Sequence, residues 1–193
     1  MNMRRTMYLL TAIALLLVAV VATAKADSKT THASVTFLGG TLSWDENYPE
    51  GYVAMNFAFG SNPLPVAAVS YQGQQQKHML RVKDNRATND GWTVTANMTD
   101  FVGTADDALS FKGMITLQGG RHIFGDLIYE DRIDIVSGDS GVPIMSLDEG
   151  GRGCFSVEWE GDAVHLSLGE AQARAVADAP YQATLTWTLT AGM

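Results

Sequence analysis

Residues 181–190 alternate without a break: Tyr181, Ala183, Leu185, Trp187 and Leu189 fall on one side, Gln182, Thr184, Thr186, Thr188 and Thr190 on the other. Successive side chains point to opposite faces in an extended strand, so this segment predicts β-structure with one face on a core and the other a flat row of threonine hydroxyls. The segment Trp92, Val94, Ala96, Met98 repeats the design, with Thr93, Thr95, Asn97 and Thr99 opposite.

Elsewhere the apolar residues also recur mostly with period two, and Gly, Asn, Asp and Pro interrupt them about every ten residues. Strands are expected at 35–38, 42–44, 53–59, 66–71, 79–83, 92–98, 113–117, 133–136, 154–159 and 164–168. The turn-forming run at 84–91 predicts a long hairpin loop, and the polar run 72–77 a surface turn. Residues 171–178 are the one helical candidate, but their small side chains offer no apolar stripe and Pro180 ends them. They are read as a crossing loop. The pattern as a whole predicts an all-β fold, a single β-sandwich or flattened Greek-key barrel.

The N-terminus predicts the compartment. Arg4 and Arg5 precede an apolar run at 7–22, and Ala24-Lys25-Ala26 has the small-x-small form of a signal peptidase site. Cleavage is expected before Asp27, with Ala22-Thr23-Ala24 as the rival site. Residues 1–26 are then a secretory signal, and 27–193 form one domain with its core over about 33–193. The run is short for a permanent membrane helix, so no stable membrane span is expected after processing. Thirteen basic against 21 acidic residues give a net charge of −8, and loss of Arg4, Arg5 and Lys25 with the leader takes this to −11. Clustered cations are missing, which disfavours nucleic acid and anionic lipid as partners. The single Cys154 has no partner for an intrachain disulfide and is read as a small buried hydrophobe.

Trp92-Thr93-Val94 and Trp187-Thr188-Leu189 share a pattern, and their surroundings are more specific than the triplets. The stretch 80–86, continuing through Gly91-Trp92-Thr93-Val94-Thr95-Ala96 to Thr99-Asp100-Phe101, resembles the first motif region of the WxL family of Gram-positive surface proteins. Tyr181-Gln182-Ala183-Thr184-Leu185-Thr186-Trp187-Thr188-Leu189 is similar to its C-terminal motif. Gly40-Thr41-Leu42 and Met114-Ile115-Thr116-Leu117 fit as well, so the resemblance spans nearly all of the chain from about residue 33. Two departures stand out: Val94 replaces a leucine, and Ala191-Gly192-Met193 lacks the proline usual after the second motif. The resemblance implies a non-catalytic, cofactor-free domain, secreted and held non-covalently at the cell wall and cell surface. Its implied partners are peptidoglycan or another wall polymer, and a co-encoded surface protein. The alternative is a subunit of a surface assembly that docks on a protein partner.

For binding, the motifs single out Trp92, Val94, Tyr181, Trp187 and Leu189, while Thr93, Thr95, Thr184, Thr186 and Thr188 form a candidate contact face. The tryptophans admit two readings, as core fillers on apolar faces or as rings that stack on sugars. A remote alternative rests on Gly138-Asp139-Ser140-Gly141-Val142-Pro143, which looks like the nucleophile segment of chymotrypsin-like serine proteases. That chemistry needs a histidine base and an orienting aspartate. His32, His78 and His122 lie upstream in unsuitable contexts, and Gly-Asp-Ser-Gly is also a turn sequence. The acidic pairs Asp45-Glu46, Asp106-Asp107, Glu130-Asp131 and Asp148-Glu149 lack the ligand spacing of a metal loop and are read as solvated.

Overall fold

The computed structural model describes residues 40–45, 57–74, 77–104, 109–124 and 127–192. The chain divides at residue 36, and every described residue belongs to the part that follows. The expected leader, the strand expected at 35–38 and positions 53–56 of the one expected at 53–59 lie outside the described residues, as does His32.

In chain order the described elements begin with β1 (Leu42–Trp44), β2 (Val69–Gln72), β3 (His78–Asp84), β4 (Asp90–Met98), β5 (Phe101–Gly103), β6 (Ser110–Phe111) and β7 (Met114–Gln118). There follow β8 (Arg121–Phe124), β9 (Arg132–Val136), β10 (Val142–Glu149), β11 (Gly153–Trp159), β12 (Val164–Leu168), α1 (Glu170–Ala175), β13 (Tyr181–Gln182) and β14 (Leu185–Ala191). The strands form antiparallel sheets in the orders β1-β3-β11-β8, β10-β4-β14, β2-β12-β7-β9 and β13-β5-β6. This is the expected all-β sandwich.

Inward residues from these sheets meet in one core. Leu80 and Val82 of β3, Val94 and Ala96 of β4, Leu117 of β7, Ile135 of β9 and Val157 of β11 are fully enclosed. Trp92 of β4 packs edge-on against Phe155 of β11, ring centroids 5.5 Å apart, and so joins two sheets through aromatic contact. Alternation explains the burial: in β4 each residue facing the core is buried, and each neighbour faces outward.

Several expectations need correction. Strands β3 and β4 do not pair: β3 lies between β1 and β11, whereas β4 lies between β10 and β14. The turn-rich segment between them is therefore a crossing between sheets rather than a hairpin loop. Composition reveals that a chain turns there but not which sheet it enters. The segment 171–178 is expected to be loop, yet α1 takes up its first five residues; Ala173 is buried, so one small side chain suffices to dock so short a helix. Residues 57–59 carry strand-like side chains but no strand pairing, although the Gln74 N–H donates to the Ala58 carbonyl at 2.7 Å. The last strand is broken at Ala183-Thr184, where β13 leaves for the sheet of β5 and β6. Between Leu185↔Met98 and Gln182↔Val102 the register steps by one, with the extra residue in the turn from β4 to β5. Such a bulge bends both strands together.

Candidate functional site

Both tryptophan motifs lie in one sheet, β10-β4-β14, and on adjacent strands. Trp187 is opposite Ala96, Leu189 opposite Val94, and Ala191 opposite Trp92. The two rings thus share the inner face but are offset by four residues along β4, about 13 Å at strand spacing. Trp92 is 1% exposed and Val94 fully buried, so neither presents a surface to a ligand. Tyr181, Trp187 and Leu189 are half-buried and pack on the core.

The outer face of the same sheet carries hydroxyls on β4 and β14, while β10 adds Pro143 opposite Thr95 and the exposed Asp148 at the level of Gly91. Register places Thr188 beside Thr95, Thr190 beside Thr93 and Thr186 beside Asn97, while Ser146 of β10 flanks Thr93 from the other side. Thr186, Thr188 and Thr190 are exposed, and the central Thr93 and Thr95 are half-covered by their neighbours. Rows of hydroxyls therefore recur about 4.8 Å apart across the strands and about 6.7 Å along them, without a charged side chain among them. Thr184 is exposed just beyond the end of β14, where its N–H donates to Thr99 Oγ1 at 2.9 Å and its carbonyl accepts from the Thr99 N–H at 3.0 Å.

Polar residues of the first motif region hold the crossing that delivers β4. Asp84 is 2% exposed, and its carboxylate accepts from the Arg86 backbone N–H at 2.9 Å and from the guanidinium at 3.1 and 2.8 Å. Arg86 also donates to the Asp90 and Gly91 carbonyls, tying the start of β4 to the end of β3. Burial pushes the Asp84 carboxyl up, but the hydrogen bonds and charge of Arg86, with the charge of Arg152, outweigh it and leave the pKa below the usual aspartate value. Gly40 and Thr41 close the edge through Gly40 N–H to the Asn85 carbonyl and Asn85 N–H to the Thr41 carbonyl. At the far end the Gly192 N–H donates to the Gly91 carbonyl at 2.7 Å. The opening segment, the first motif region and the C-terminal motif thus converge on one corner of the fold.

The family model described as "WxL domain surface cell wall-binding" matches residues 51–192. The chain belongs to the WxL family. No curated protein and no solved structure matches it. WxL domains are a binding family of the cell surface that attaches to the cell wall, and this chain shares that character.

The remaining candidates fall into place around the WxL motifs. Ser140 is exposed in the turn from β9 to β10, which Gly138 and Gly141 shape with φ of 84° and 68°. That turn is fastened to β4 by the Gly138 N–H on the Met98 carbonyl and the Gly141 N–H on Asn97 Oδ1. His78 is buried on β3, His122 exposed on β8 and His165 half-buried on β12. Cys154 is half-buried rather than enclosed, with the Arg81 guanidinium beside it. Asp45 is not solvated as its sequence context predicted: it is 5% exposed and accepts from Arg81 Nε at 2.6 Å. Glu130, Asp131, Asp148 and Glu149 are exposed, while Glu46, Asp106 and Asp107 lie outside the described residues. Among the described residues no group of three or more His, Cys, Asp or Glu is placed to hold a metal ion.

Sequence reasoning missed a groove of about 1000 Å³ between residues 57–65 and 176–185, where the C-terminal motif begins. Its bottom is formed by Phe101, Phe111, Ile115, Leu166 and Leu168. Phe101 and Phe111 stack at 5.1 Å, and Tyr181 meets Phe111 edge-on at 4.9 Å. One wall is irregular and the other runs through β13, two segments distant in sequence that no local pattern brings together.

Proposed function

We propose that this WxL domain, exported after loss of residues 1–26 and folded over 27–193, holds the Gram-positive wall by laying the outer face of β10, β4 and β14 along peptidoglycan glycan. It performs no chemistry and needs no cofactor. The supporting observation is the register that sets Thr186, Thr188 and Thr190 beside Asn97, Thr95 and Thr93 in rows without a charged side chain. A glycan strand offers hydroxyls, ring oxygens and amides at close intervals, and a flat array of hydroxyls that both donate and accept can match them. An acidic protein gains nothing from charge against an anionic wall, so hydrogen bonding over an extended face suits it better. The tryptophans serve this face from behind by fixing the strands that carry it. Replacing Thr186 and Thr188 together by Asp puts two charges on the face. Pelleting with purified sacculi should weaken about tenfold or more, since buried charges without partners are costly, while the melting temperature stays within a few degrees. Undiminished pelleting of the folded double variant would count against the reading.

One observation favours the assembly-subunit alternative: among the described residues β14 pairs only with β4 and so ends its sheet. Docking of a protein strand on that edge would give capture of a surface protein and indifference to sacculi.

A further inference from the structure

The groove beside the C-terminal motif has the composition of a sugar site. Among the described residues that line it, only Asp178 is charged. Ser61, Asn62, Gln182 and Thr184 bring uncharged donors and acceptors to the walls, above a bottom of stacked aromatic and aliphatic side chains. Its volume is at the upper end of small-ligand sites, which fits an extended occupant rather than a single small molecule. The walls are braced: Tyr71 Oη donates to the Pro63 carbonyl at 3.3 Å, Asn62 Nδ2 donates to the Phe59 carbonyl at 2.7 Å, and Tyr181 Oη accepts from the Ala177 N–H at 2.9 Å. Such bracing lowers the ordering cost of binding.

Thr184 connects the groove to the sheet. It lines the groove, and Thr186, Thr188 and Thr190 continue from it along the outer face of β14. We propose that the groove seats an N-acetylated amino-sugar segment of the same glycan strand that lies along the threonine face. This rests on the reading given under Proposed function and adds which moiety is selected. An acetamido group combines a methyl, suited to the apolar bottom, with an amide N–H and carbonyl, suited to Asn62 and Gln182. The carboxylates of a stem peptide would meet Asp178 and the acidic surface, so the glycan rather than the peptide is the occupant.

The test uses the chitin tetrasaccharide as a soluble probe and purified sacculi as the polymer, with the purified chain, Gln182→Ala and Asn62→Ala/Gln182→Ala compared by calorimetric titration and by pelleting. Gln182 is exposed, so its single replacement preserves the fold if the bracing role of Asn62 makes the double variant unstable. The expected result is saturable tetrasaccharide binding, about five- to tenfold weaker in Gln182→Ala, with a free stem pentapeptide, which carries no sugar, giving no heat. Absence of tetrasaccharide binding by a chain that still pellets with sacculi overturns the groove assignment and leaves the threonine face standing. Binding of the tetrasaccharide by a folded chain that does not pellet has the opposite meaning: the groove assignment holds and the wall reading fails. Equal affinity in Gln182→Ala, or saturable binding of the pentapeptide, overturns the proposed occupant.

Discussion

At the scale of single residues, the two motif tryptophans are unequal despite their matching sequence contexts. Trp92 is enclosed against Phe155, whereas Trp187 is half-covered on an outer strand. Chemical denaturation should show Trp92→Ala losing about 3–5 kcal/mol and Trp187→Ala about 1–2 kcal/mol, following the apolar area each removes from the core. Equal losses would contradict this division. Asp84 and Arg86 form the other sensitive pair. Arg86→Ala leaves a buried carboxylate without its cation and should cost about 3–5 kcal/mol. The pH dependence follows from the lowered pKa of Asp84, joined by Asp134, where burial is outweighed by hydrogen bonds from Thr116 and Arg132 and the latter's charge. A carboxyl whose folded pKa lies below its unfolded one contributes stability that is fully present above the unfolded value, about 4, and is lost as the pH falls through the folded value. Urea unfolding between pH 7 and pH 2 should therefore show a plateau and then a decline below about pH 4, with a shallower decline in Asp84→Asn. Stability that is constant down to pH 2 would remove this linkage.

At the scale of elements, strand β4 is the organiser, because it alone pairs with both β10 and β14. Its entry is too tight for any side chain at Gly91. A Cβ there would sit 2.1 Å from the Leu147 carbonyl oxygen and 2.6 Å from that of Asp148, both backbone atoms of the adjacent strand region. Gly91→Ala should cost about 1–3 kcal/mol or more by forcing β4 and β10 apart, measured by thermal melting against Asn89→Ala as an exposed control. An unchanged melting temperature would show that the strands can separate freely. The sequence made β4, β12 and the alternation of residues 181–190 legible because the pleat imposes period two on any half-buried strand. It did not reveal the break at Ala183-Thr184, since a bulge on the facing strand leaves that alternation intact. Strand β10 was hidden for a similar reason: the register shift between Pro143 and Met145 makes Ile144 and Met145 both buried and disrupts the period. The groove was illegible because its walls are far apart in sequence and one of them is irregular. The threonine face, by contrast, could be read residue by residue, and the structure adds the pairing that turns two rows into one surface.

At the scale of the whole molecule, membership of the WxL family and an acidic chain of net charge −8 together pose the question of how a protein holds a polymer that charge does not help it approach. The proposed hydrogen bonding over the hydroxyl rows of β4 and β14 would answer it, and it also sets an ionic-strength signature. Attachment by ion pairs weakens steeply with salt as counterions screen them, while neutral hydroxyl contacts do not. Co-sedimentation of the purified chain with sacculi in about 0.05 M and about 1 M salt tests this most directly. The account predicts saturable pelleting with nearly the same affinity at both ionic strengths. A folded chain that stays in the supernatant, or one that high salt releases from the sacculi, would contradict it.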